Sequence, residues 1–214
     1  MNIHRDQRWP NDILSLLPGE WAISRDAILS TVLGTCISVV LFSPSDAIGG
    51  MNHFMLPESS KDGAPLLNNS QAGRYGVNAM ELLINGLMKE GIDRHQLKAK
   101  VFGGGRMFIR KDETNPTHIG IQNLLFVEEF LKTEKIPVLA SDVSGVGARR
   151  IYFFPWNGKV LLKRYQKSET DQTRILKNQE ETFRKKLIEQ EETRVILFDS
   201  PPQPQEKPKD KSGR

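Results

Sequence analysis

The chain has 214 residues, 38% hydrophobic and 26% charged, with a formal net charge of +4. That suits one domain with an appendage, or two small domains, and excludes collagen-like, mucin-like and wholly disordered classes. No apolar run is long enough to cross a bilayer, no signal-peptide core opens the chain, and a single cysteine forbids an internal disulfide, so a cytoplasmic protein without membrane insertion is expected.

In chain order, β-rich runs bounded by Gly, Pro, Asn or Asp predict strands over Glu20–Ser24, Ala27–Leu33, Ile37–Phe42 and Ala47–Met55. The stretch LPESSKDGAPLLNNSQAG that follows has no periodicity and reads as a functional lid or a disordered loop. A helix is predicted over Tyr75–Glu90, where Val77, Met80, Leu83, Ile84, Leu87 and Met88 keep the helical period and Gly91 supplies the stop. A strand over Lys98–Phe102 precedes a second helix, Gln122–Glu134, and then come strands over Ile136–Ser141, Arg150–Phe154 and Lys159–Lys163. Many strands with two interleaved helices predict an α+β fold, a layered α/β sandwich of mixed or antiparallel strands with the helices packed outside.

The domain is expected to span residues 1–165. Residues 166–198, rich in Gln, Glu, Lys and Arg with Leu176, Phe183 and Leu187 at helical spacing, predict an amphipathic helical extension that packs weakly or meets a partner. Residues 199–214 have the composition of a disordered tail. The pocket elements all fall within residues 30–106, so the extension is expected to be dispensable for chemistry. Basic residues are dispersed, and Arg184-Lys185-Lys186 lies among glutamates; a nucleic-acid face needs clustered cations, so no nucleic-acid partner is expected.

Chemistry is sought where a nucleophile and a base can meet. Ser43-Pro44-Ser45-Asp46 has turn composition, and a hairpin centred between Pro44 and Ser45 sets Cys36 opposite His53 on one face of a sheet. Cys36 follows Leu33-Gly34-Thr35, where a glycine lets the backbone bend and aim N–H groups at one point, as an oxyanion hole requires. A neighbouring imidazole can draw the thiol proton and hold the thiolate. Phe102-Gly-Gly-Gly-Arg106 lacks the spacing of a phosphate loop and reads as close-packed backbone lining the Cys36 pocket. His4, His53, His95, His118 and Cys36 show no zinc-ligand spacing, so no metal or other cofactor is expected. Trp9, Trp21 and Trp156 read as core or rim anchors.

The runs LSTVLGTCISVVLF and GGMNHFMLP resemble the CheD family of chemoreceptor glutamine deamidases, whose hallmarks are a Gly-Ser-Cys turn and a histidine in a G-x-x-x-H-x-M-L-P context. The resemblance continues through Arg74-Tyr75, the run from Lys98 to Phe108, Ile119-Gly120-x-x-Asn123, Ser141-Asp142 and Arg149-Arg150. It covers residues 12–165 and implies a cysteine hydrolase that converts receptor glutamines to glutamate, on a sandwich similar to glutamine-deamidating toxins. Carried over by position, Cys36 is the nucleophile, His53 the general base, and the family's third residue falls on Ser30, with Thr31 adjacent. Gly34 and Thr35 flank the oxyanion site. The implied partners are the cytoplasmic helices of chemoreceptors and a CheC-type phosphatase. The alternative reading is a non-catalytic chemotaxis adaptor that binds the same partners.

Overall fold

Short apolar runs separated by turn residues fold into two stacked sheets, with helices on one side. The computed structural model describes residues 1–56, 71–106, 119–165, 176 and 178–187. The aperiodic stretch after Leu56, apart from its last three residues, lies outside the described residues, as do His118 and the tail. The strands are β1 (Asn2–His4), β2 (Ile13–Ser15), β3 (Trp21–Ser24), β4 (Ile28–Leu33), β5 (Ile37–Ser43), β6 (Ile48–Asn52), β7 (Lys98–Gly103), β8 (Val138–Val143), β9 (Arg149–Phe154) and β10 (Lys159–Arg164). Helix α1 is Gln71–Lys89 and α2 is Ile119–Thr133; a further helical segment, α3, covers residues 178–187.

The first sheet has the order β1-β2-β4-β9-β10 and the second β3-β6-β5-β7-β8. Both are mixed, because β2–β4 and β7–β8 pair in parallel while the other neighbours are antiparallel. Leu29, Leu33, Cys36, Val40, Met51 and Phe153 fill the space between the sheets. Ile37, Val39, Leu41, Leu83, Leu87 and Phe126 fill the layer between the second sheet and the helices. Both faces of β5 are therefore covered, which is why ISVVLFS runs nearly uninterrupted in apolar residues and is buried along its whole length. The α+β sandwich expected from the sequence is the fold observed. Strands β1 and β2 and the 3-10 turn at Arg94–Gln96 were not expected; three-residue elements are too short to show a period. Trp9 and Trp156 pack on the outer face of the first sheet with Tyr152 and Phe154, whereas Trp21 is exposed.

The β5–β6 hairpin corrects the expected register. Ser43 pairs with Ile48 and Val40 with Met51, and the register continues to a bridge between Ile37 and Phe54. Four residues, Pro44–Ala47, make the turn, with Ala47 at φ 49° and the Ser43 hydroxyl bonded to Asp46. The longer turn moves Cys36 level with Met55 and His53 level with Ser38. Because the offset is two residues and side chains alternate with period two, Cys36 and His53 still share the face turned toward the first sheet.

Candidate active site

Between β4 and β5 the chain crosses from one sheet to the other through Gly34, Thr35 and Cys36. All three carbonyls of this crossing are held. Gly105 N–H donates to Gly34 at 2.8 Å, Gly104 N–H donates to Cys36 at 2.8 Å, and Asn123 Nδ2 donates to Thr35 at 2.9 Å. The Gly-rich run must come this close. At Gly103, whose φ is 111°, a Cβ would sit 2.2 Å from the Cys36 carbonyl oxygen, so neither the conformation nor the space admits a side chain.

The run is clasped from behind. Ser144 N–H donates to Gly103 and Arg106 N–H to Gly145, each at 2.8 Å. The buried Arg149 guanidinium pairs with Asp142 at 2.5 Å and also donates to its carbonyl at 2.7 Å. The segment from Asp142 to Gly145 and the first arginine of Arg149-Arg150 thus have a positioning task.

The backbone N–H groups of the crossing converge on one oxygen. Gly34, Thr35 and Cys36 donate to Glu180 Oε1 at 3.2, 3.0 and 3.3 Å, and the Thr35 hydroxyl donates to Oε2 at 2.7 Å. Such a nest of amides suits a carboxylate or a developing oxyanion. The extension, expected to stand apart from the pocket, reaches into it through Glu180 on α3. A signal for this exists in the sequence: Glu180 falls at helical spacing between the apolar Leu176 and Phe183, an acidic side chain on an otherwise apolar face.

Cys36 and His53 are both buried, and no hydrogen bond joins them; His53 Nε2 is buried without a partner. The ring is oriented from its other side. Thr31 Oγ1 lies 2.7 Å from His53 Nδ1 and donates its one proton to the Leu16 carbonyl at 2.8 Å. The hydroxyl therefore accepts from Nδ1–H, which leaves the lone pair on Nε2. Ser30 does not reach the ring: alternation along β4 turns it to the outer face, where its buried Oγ has no hydrogen-bond partner.

Burial lowers the His53 pKa to about 4, so the ring is neutral at pH 7. Burial and the nearby Glu180 carboxylate push the Cys36 thiol well above its ordinary range, so it stays protonated. A pocket of about 100 Å³ opens beside His53, lined also by Glu20, Trp21, Asn52, Tyr75 and Asn78. Among the described residues no cluster of His, Cys, Asp and Glu could hold a metal, and no helix is long and apolar enough to cross a membrane.

Comparison with known proteins places these motifs in context. The profile described as CheD chemotactic sensory transduction matches residues 55–164. Three relatives carry the name probable chemoreceptor glutamine deamidase CheD, the second with the numeral 1. The protein of Janthinobacterium sp. (strain Marseille) is 39% identical over 188 residues, 87% of this chain and 88% of its own. That of Dechloromonas aromatica (strain RCB) is 42% identical over 171 residues, 79% and 82%. The Bordetella avium (strain 197N) protein is 39% identical over 200 residues, 92% and 85%. Among solved structures, Bacillus licheniformis YfiH reaches a TM-score of 0.34 at 10% identity over 59% of this chain and 49% of that one.

Proposed function

The chain belongs to the CheD family, and from that premise we propose that it deamidates glutamine side chains of chemoreceptors to glutamate through Cys36 as nucleophile and His53 as base. The observation that carries the reading is the set of three N–H groups from Gly34, Thr35 and Cys36 gripping a side-chain carboxylate beside the one cysteine of the chain. A glutamate side chain is the product of this reaction, and a glutamine side chain differs from it by one amide.

With a receptor glutamine in that place, His53 Nε2 takes the thiol proton and the Cys36 sulfur attacks the carboxamide carbon. The carbonyl oxygen becomes an oxyanion held by the three amides, which donate where charge develops and need no reorganisation. Collapse expels ammonia, which takes its proton from the His53 imidazolium and leaves a thioester on Cys36. Water then attacks the thioester as His53 removes its proton; the carbon–sulfur bond breaks, glutamate departs and the thiol is restored. Thr31 keeps the proton of His53 on Nδ1 throughout, so Nε2 can accept and return the travelling one.

The test is mass spectrometry of a chemoreceptor cytoplasmic fragment incubated with the full chain and with Cys36→Ala at equal folded concentration. The parent should convert receptor glutamine to glutamate and the variant should not. Conversion by Cys36→Ala at the parent rate removes the nucleophile assignment.

A further inference from the structure

The carboxylate in the amide nest comes from the chain itself. Side chains of α3 divide by face: Glu180 and Leu187 are buried and Phe183 is half-buried, whereas Asn178, Gln179, Glu181, Thr182, Lys185 and Lys186 are exposed. With Leu176, also buried, the inward positions follow the spacing of one helix face. Leu176 packs with Val32, Ala148 and Tyr165 at one end of the crossing. Phe183 packs over Gly19 at the other, its ring 2.6 Å from where a Cβ on that residue would stand. Gly19 is in turn tied to the site, its N–H donating to the His53 carbonyl at 2.7 Å. The helix thus straddles the cysteine turn, anchored on both sides, and lowers one acidic side chain between its anchors.

We propose that residues 178–187, anchored with Leu176, form an intramolecular pseudoproduct, a helical segment that fills the substrate cleft with Glu180 in the place of the glutamate the enzyme makes, so that the chain rests closed until a substrate helix displaces it. The inference rests on the deamidase reading and extends it. Four contacts satisfy the carboxylate, each of the three backbone donors belonging to the oxyanion nest. Burial first and the Glu180 carboxylate second hold the thiol protonated, so a filled cleft and a silent nucleophile go together. The anchors four residues before and three and seven after Glu180 also describe the occupant the cleft accepts: a helix with apolar side chains at those offsets from its glutamine.

The experiment uses the full chain and two independent readouts. Alkylation of Cys36 by iodoacetamide at fixed pH, followed by intact mass, reads the opening of the cleft whether or not the protein deamidates anything. Glu180→Ala and Phe183→Ala should each raise the alkylation rate about tenfold or more, the factor that corresponds to about 1.4 kcal/mol, while Gln179→Ala on the exposed face should not. Phe183→Ala keeps the carboxylate, so its effect separates displacement of the helix from loss of a charge near the thiol. Deamidation of a receptor fragment by the same variants should improve mainly through KM, because a competing internal occupant lowers the fraction of competent sites. Unchanged alkylation in both variants, with the fold intact, overturns the proposal. Faster alkylation with no deamidation by any variant leaves the closed cleft standing and overturns the deamidase reading instead. In the Glu180→Gln chain the new amide should be converted back to glutamate, and only when Cys36 is present. Its persistence in a protein that does deamidate receptor overturns the pose.

Discussion

Thr31→Val replaces one hydroxyl by a methyl group of nearly the same volume, and that hydroxyl serves two buried partners. The Leu16 carbonyl receives its proton at 2.8 Å and His53 Nδ1–H donates to it at 2.7 Å. Leu16 is 3% exposed and His53 1%, so water does not replace either bond. A buried group left without its partner costs about 1–3 kcal/mol, and two of them place the loss of stability at roughly 2–6 kcal/mol. The catalytic effect is separate. Without an acceptor at Nδ1 the proton is free to sit on Nε2, where the base must be empty. Removal of a charged carboxylate that orients a catalytic histidine costs about 10⁴ in kcat; a neutral hydroxyl orients without charge, so a fall of roughly 10²-fold is expected here, with KM little changed. Thr31→Ser should restore most of it, because the hydroxyl remains. Ser30→Ala, which removes a hydroxyl without a partner, should stay within about twofold of the parent. The assay is initial deamidation rate at equal folded concentration, with thermal unfolding measured alongside. A Thr31→Val chain at full kcat, or a Ser30→Ala chain slower than it, refutes the assignment of Thr31 as the positioning residue.

Gly103→Ala should destabilise the chain by about 3 kcal/mol or more, since its Cβ meets the Cys36 carbonyl oxygen at 2.2 Å and its φ is 111°; Gly91→Ala, at φ 88° with nothing within 4 Å, should cost only about 1 kcal/mol, and equal losses in urea unfolding would show that the close approach is not what matters. The fold should weaken in mild acid because of His53, whose pKa falls from 6.5 to about 4 on burial. Between those values the unfolded chain binds the proton and the native one does not. Stability therefore rises with pH across that window, by roughly 3 kcal/mol in all. Denaturation of His53→Gln at pH 4.5 and 7.5 should show a smaller difference than the parent, and an identical difference would remove His53 as the cause.

Much of the architecture is local and can be read from the chain. Every strand expected from alternation, from β3 to β10, is present, and both helices lie within a few residues of their apolar periods, because side-chain period and turn chemistry act over neighbouring residues. The shared face of Cys36 and His53 was legible for the same reason: an error of two residues in the hairpin leaves the alternation intact. The register itself was not, since Pro44–Ala47 closes with four residues and Ala47 in the left-handed region, a choice that neighbouring strands stabilise.

What the sequence determined by itself is thus the class of fold, the cysteine after a glycine turn, the histidine on the same face, and an amphipathic extension. What only the tertiary structure decided is which groups meet. Thr31 rather than Ser30 reaches the imidazole because β4 lies across from β6 in the opposite sheet. Asn123 and the Gly103–Gly105 run hold the cysteine turn from elements more than sixty residues away in the chain, and Glu180 enters from farther still. Such contacts depend on how layers stack and where a helix lands. No local pattern specifies that, because the free energy that selects it comes from burial and hydrogen bonds between segments that the sequence keeps apart.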